Sequence, residues 1–184
     1  MKRVVLFIVL LLPLACALVE LFILQSVQDP IKYIYTITGA SATVILFITI
    51  ALSLMTKWIN LIKYRRMIGL YGFFYALLHF LNFFILDAEL DFSFVVKETL
   101  DKPFIYLGMI AFTILIFMAI TSTKKLFKKF NRYHKLIYLA LALVTIHFIM
   151  AQKSLSIPQL GYVLIILIIA YCKLIQQIVK KNSL

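Results

Sequence analysis

Six stretches of mostly apolar residues, at 4–24, 36–56, 67–86, 104–122, 133–151 and 159–179, dominate this 184-residue sequence. Each is near the roughly 20 residues that a helix needs to cross the hydrocarbon core of a bilayer. Inside that core no water is available to the backbone, so only helices and closed barrels can span it. Runs of this length predict an all-α integral membrane protein, a six-helix transmembrane bundle forming a single domain over 1–184. Composition agrees. Hydrophobic residues make up 64% of the chain and charged residues 14%, against about 25% charged in soluble domains. Too little polar sequence remains for a large soluble catalytic domain, and a disordered chain is excluded by the same excess of apolar surface. Neither an internal repeat nor a low-complexity segment stands out.

Polar punctuation separates the runs. Gln28-Asp29-Pro30 breaks after the first, and Lys57 to Arg66 divides the second from the third. Asp87 to Pro103 is expected as the longest loop, Lys124 to Arg132 as a basic loop, and Lys153 to Pro158 as a short turn. The first run follows Lys2 and Arg3 and resembles a signal peptide, with Leu14-Ala15-Cys16 as a weak lipoprotein-like site. Pro13 and the continuation of the run to Leu24 favour a spanning helix instead. Cys16 and Cys172 sit in separate apolar runs and form neither a disulfide framework nor a metal motif. CxxCH is absent, so covalent c-type haem attachment is not expected.

The net charge of +12 reflects membrane topology rather than nucleic-acid binding. Of 19 basic residues, 15 fall on one side of the expected bundle. They are Lys2 and Arg3; Lys57, Lys63, Arg65 and Arg66; Lys124, Lys125, Lys128, Lys129, Arg132 and Lys135; and Lys173, Lys180 and Lys181. Lys32, Lys97, Lys102 and Lys153 fall on the other. The positive-inside rule then places both termini in the cytoplasm of a multi-pass protein of the cell inner membrane. The third loop holds five of the seven acids, Asp87, Glu89, Asp91, Glu98 and Asp101, and faces the periplasm.

Ionisable groups within spanning helices are costly and mark function by default. The three histidines, His79, His134 and His147, all lie in or at the edge of such runs. His79 follows Arg66 by 13 residues on the third helix, and His147 follows His134 by 13 on the fifth. Both helices run from inside to outside, and 13 residues rise about 19.5 Å. His79 and His147 should therefore share one depth in the outer half, with Arg66 and His134 near the cytoplasmic face. Two imidazoles on facing helices at equal depth suit the axial positions of a haem iron, and helix bundles commonly hold cofactors between facing helices. Phe73, Phe74, Tyr75, Phe80 and Phe148 supply apolar surroundings. The plainer alternative for each histidine is an interhelical hydrogen bond. Arg66 stays protonated and offers no lone pair to iron, but suits a haem propionate, a flavin phosphate or a quinone; its plainer role is a cation reaching the lipid headgroups. On an ideal helix His134 and His147 stand about 140° apart, so the inner site requires either an irregular helix or a different neighbour.

Taken in order, several segments resemble the MsrQ (YedZ) family of haem-binding membrane subunits, within the ferric-reductase-like transmembrane superfamily. They are Asp29-Pro30-Ile31-Lys32 with Thr38-Gly39, Arg65-Arg66-Met67-Ile68-Gly69-Leu70, Ala76-Leu77-Leu78-His79, Lys102-Pro103-Phe104, Thr121-Ser122, and His134-Lys135-Leu136-Ile137-Tyr138 leading to His147. Where the family usually has Trp, often Leu, and often a polar residue, this chain has Phe130, Tyr133 and Ala40. The resemblance runs from about Asp29 to Lys173 and implies one or two b-type haems bound by His79, His147 and His134. It further implies electrons drawn from quinol, with FMN as a candidate carrier, and delivered to a periplasmic molybdopterin-containing methionine sulfoxide reductase that repairs oxidised envelope proteins.

An electron-transfer subunit, with no catalytic residue of its own, is thus the leading expectation. No GxGxxG motif occurs, so a self-contained nucleotide-dependent reductase is not expected. The acidic third loop is a candidate docking surface. Two other readings make different predictions. A stand-alone ferric reductase needs no protein partner. A proton-coupled transporter would use the histidines as relays and bind no haem, although such transporters often carry internal repeats. A purely structural assembly factor leaves the matched histidines unexplained.

Overall fold

The computed structural model describes residues 2–54 and 64–152, together with some of the residues between 157 and 175. Helix α1 (Lys2–Leu18) runs on into a π-helical turn, Val19–Leu24. Then come α2 (Pro30–Leu54), α3 (Arg65–Asn82) with a second π-helical turn at Phe83–Asp87, α4 (Phe92–Asp101), α5 (Pro103–Ile120) and α6 (Lys124–Phe130). A 3₁₀ turn, Asn131–Lys135, leads into α7 (Leu136–Ala151). No strand occurs among the described residues. Five of their helical stretches are long and apolar enough to cross a bilayer. Part of the sixth expected run, 159–179, lies outside the described residues, as do Lys57, Lys63 and most of the expected turn at Lys153 to Pro158. Of that run, Ile166 is helical and buried in the same apolar cluster as Leu115 and Leu141.

Three boundaries differ from the hydropathy reading. The second helix starts at Pro30, not at 36. Proline lacks only an N–H that a first turn would leave unpaired, and the Asp29 carboxylate accepts the Lys32 N–H at 3.0 Å. The segment expected as the longest loop contains α4. Asp91 caps that helix by accepting the Ser93 N–H at 2.8 Å and the Phe94 N–H at 3.3 Å, and Glu98 pairs with Lys102 one turn on. A hydropathy window misses α4 because its acids alternate with exposed Phe92, Val96 and Leu100. The expected basic loop is likewise helical as α6, and His134 stands in the 3₁₀ turn ahead of α7.

Two antiparallel pairs, α2 with α3 and α5 with α7, form the body of the bundle; α3 also meets α5, and α2 meets α7. Leu46, Phe47 and Ile50 of α2 pack with Leu115 of α5 and with Ile137, Ala140 and Leu141 of α7. Outside this core, large apolar side chains are turned outward, among them Phe22 at 73% exposure. That distribution suits lipid as the surrounding solvent. All seven carboxylates gather at the end where α1 and α3 finish and α2 and α5 begin, whereas Arg3, Arg65, Arg66 and Lys124 stand at the opposite end.

Helix α1 is tied to α3 through its own irregularity. Pro13 cannot donate to the helical ladder and its ring crowds the preceding turn. The fully buried Tyr75 hydroxyl inserts there, accepting the Leu14 N–H at 3.2 Å and donating to the Leu10 carbonyl at 2.8 Å. Tyr75→Phe should cost about 1–3 kcal/mol, the penalty for buried polar groups left without a partner. A lower thermal midpoint in detergent would register the loss, and an unchanged midpoint would refute the tie.

Candidate functional site

His79 of α3 and His147 of α7 face each other near the acidic end, with ring centroids 6.2 Å apart and planes at 88°. The equal depth expected of them is observed. Each ring is held the same way. The Nδ1–H of His79 donates to the Tyr35 carbonyl of α2 at 3.2 Å, with the Thr38 hydroxyl 3.4 Å away. That of His147 donates to the Phe104 carbonyl of α5 at 2.6 Å. A carbonyl can only accept, so Nδ1 carries the proton in both rings. In a neutral imidazole the lone pair is then on Nε2. The interhelical bonds named as the plainer alternative therefore do form, and they leave one nitrogen of each ring open.

Glycine makes these bonds reachable. A Cβ at Gly39 would stand 3.0 Å from His79 Cε1 and 3.1 Å from Nδ1. At Gly108 it would stand 2.9 Å from His147 Nδ1 and 3.0 Å from Cε1. Each imidazole lies edge-on over a glycine and reaches the carbonyl four residues before it. Tyr35 is further positioned by its hydroxyl, which donates to the Asp87 carboxylate at 2.5 Å, and its ring meets His79 edge to face at 5.3 Å. Beside α2, the Asn82 amide donates to the Ile31 carbonyl at 3.3 Å. Stacked phenylalanines line the α3–α5 side: Phe80 lies 4.8 Å from Phe112, which in turn stacks on Phe73.

The inner residues do not form a matching pair. The Thr121 hydroxyl donates to the Phe117 carbonyl at 2.7 Å, so its oxygen accepts the Nε2–H of His134 at 3.1 Å. The open nitrogen of His134 is then Nδ1. Phe127 packs edge to face against the ring at 4.8 Å. His134 stands in a 3₁₀ turn, so the chain is irregular between it and His147. Arg66 is exposed at the basic end, where it lines a cavity with Arg3 and Lys124. Among the described residues, no three His, Cys, Asp or Glu side chains converge.

Residues 55–149 match the sequence profile described as ferric reductase like transmembrane component. The chain belongs to that family. Ferric-reductase-like membership and the apolar helices together make it a multi-pass membrane protein. Among curated proteins it is similar to the protein-methionine-sulfoxide reductase heme-binding subunit MsrQ of Brucella melitensis biotype 2, at 36% identity over 136 residues. It is similar at 35% to the subunits of the same name in Brucella ovis and Brucella abortus. The alignments cover 71% of this chain, which spans 62% of the length of these curated relatives. No solved structure matches it.

Three contributors escaped sequence reasoning: the Tyr35 and Phe104 carbonyls and Gly108. A faint signal existed. An aromatic residue precedes a glycine by four positions twice, and a histidine follows each glycine 40 or 39 residues later. With ¹⁵N-labelled histidine, the apoprotein should give protonated Nδ1 and bare Nε2 for His79 and His147, and the opposite tautomer for His134. The same tautomer at all three positions would contradict this geometry.

Proposed function

We propose that this chain is a b-type haem-carrying electron-transfer subunit of the cell inner membrane, in which His79 and His147 would hold the haem iron. The observation that carries the reading is the facing pair of imidazoles, each fixed through Nδ1 to a helix carbonyl with Nε2 open. This is the usual way a protein orients a ligating histidine, because the second hydrogen bond sets both tautomer and ring direction. With centroids 6.2 Å apart, the two rings are near enough neighbours to serve one iron together. Two nitrogens are too few for a bare ion but suffice for an iron that brings its own porphyrin. Relatives named as heme-binding subunits support the same reading.

Haem bound there supplies a one-electron couple within the low-dielectric interior. The chain's own residues do the rest. Tyr35 and Phe104 orient the imidazoles, Gly39 and Gly108 admit them, and Phe80 and Phe112 keep the α3–α5 side apolar. His134 is the third proposed haem contact. With Nε2 held by Thr121, it would bind through Nδ1, and Arg66 is the residue considered for a propionate, flavin or quinone contact. The basic end faces the cytoplasm in this reading. Electrons enter there from quinol, with FMN as the carrier considered. They leave at the acidic end to a periplasmic molybdopterin-containing methionine sulfoxide reductase.

Reduced-minus-oxidised visible spectra of the purified protein test the proposal. His79→Ala and His147→Ala should each abolish the outer b-type signal, while His134→Ala should leave it and remove at most a second component. Gly39→Val and Gly108→Val, which push a methyl into the imidazole, should weaken haem retention about tenfold or more, the usual cost of disturbing a ligand's support. A folded, haem-supplied protein without haem would overturn the reading and bring the proton-relay transporter forward.

A further inference from the structure

Away from the histidines, two adjoining cavities open at the basic end between α1 and α3. One, of about 520 Å³, is lined by Arg3, Tyr64, Arg66, Met67, Leu70 and Lys124. The other, of about 400 Å³, shares Arg3, Met67 and Leu70 and continues along Phe7, Leu11, Tyr71 and Phe74. Phe7 meets Tyr71 edge to face at 5.5 Å and closes its side. The three cations come from α1, α3 and α6, so only the folded bundle brings them together. None has a carboxylate partner among the described residues, because all seven acids lie at the other end.

We propose that this paired cavity binds one anionic phospholipid, its phosphate on Arg3, Arg66 and Lys124 and an acyl chain in the groove along α1 and α3. Charge complementarity selects a phosphate: Arg offers a planar fork of donors and Lys a point charge. The groove selects the rest of the ligand. Its lining is aliphatic and aromatic, which suits a hydrocarbon chain and gives the polar edge of a flavin few partners. A neutral isoprenoid would leave three clustered cations without a counter-charge. The membrane itself supplies the ligand, since polybasic helix ends attract anionic lipids at about 1 kcal/mol per Lys or Arg. This site is independent of haem and would hold even if the electron-transfer reading failed.

Native mass spectrometry of the detergent-purified full chain tests it, with phosphatidylglycerol, phosphatidylcholine, FMN and inorganic phosphate titrated separately. One phosphatidylglycerol should be retained about tenfold or more tightly than phosphatidylcholine. Arg3→Gln with Arg66→Gln should erase that preference. Leu70→Trp, which fills the groove, should weaken phosphatidylglycerol binding while the thermal midpoint holds. Lys128→Gln with Lys129→Gln, on exposed positions of α6 outside the cavity, should change nothing. Equal retention of the two lipids, or an equal loss with the Lys128 and Lys129 pair, would overturn the site as mere surface attraction. Displacement of the lipid by FMN or by inorganic phosphate at similar concentration would overturn the lipid assignment.

Discussion

The hydrogen bond from an imidazole Nδ1–H to a helix carbonyl sets the interior of this bundle. In lipid a main-chain carbonyl is already committed to the N–H four residues on. It keeps one further lone pair, and a side chain from the next helix can use it only where the intervening surface is open. Gly39 and Gly108 provide that opening on α2 and α5. The result is one device used twice, in α2–α3 and in α5–α7, and it brings the two imidazoles next to each other.

Other features serve that register. Tyr35–Asp87 and Asn82–Ile31 lock α2 to the acidic end of α3. The core of Leu46, Ile50, Leu115, Ala140 and Leu141 joins the two pairs toward the basic end. Helix α1 is bound less broadly, through Tyr75 at the Pro13 irregularity. Weak attachment along its flank leaves the groove between Phe7, Leu11 and Tyr71 open.

Much of the fold was legible because a spanning helix is specified by length and hydropathy alone. The apolar runs at 67–86 and 104–122 lie within a residue or two of α3 with its π turn and of α5. Polar sequence hid the rest. Helix α4 depends on the Asp91 cap and on an amphipathic stripe, and α6 on a lysine-rich face; hydropathy registers neither. At the site, the thirteen-residue spacings gave the depths of His79 and His147, since axial rise is fixed. They say nothing of direction around the helix, because depth does not tell which way a side chain points.

The sequence by itself determined an all-helical membrane protein, its charge asymmetry and the matched depth of two histidines. These follow from per-residue quantities: hydropathy, charge and a rise of about 1.5 Å. Tertiary structure decided the azimuth of each helix. That rotation placed Gly39 under His79 and Gly108 under His147, and gathered Arg3, Arg66 and Lys124 around one cavity. Azimuth depends on which neighbour each face meets, and a single helix carries no record of its neighbours.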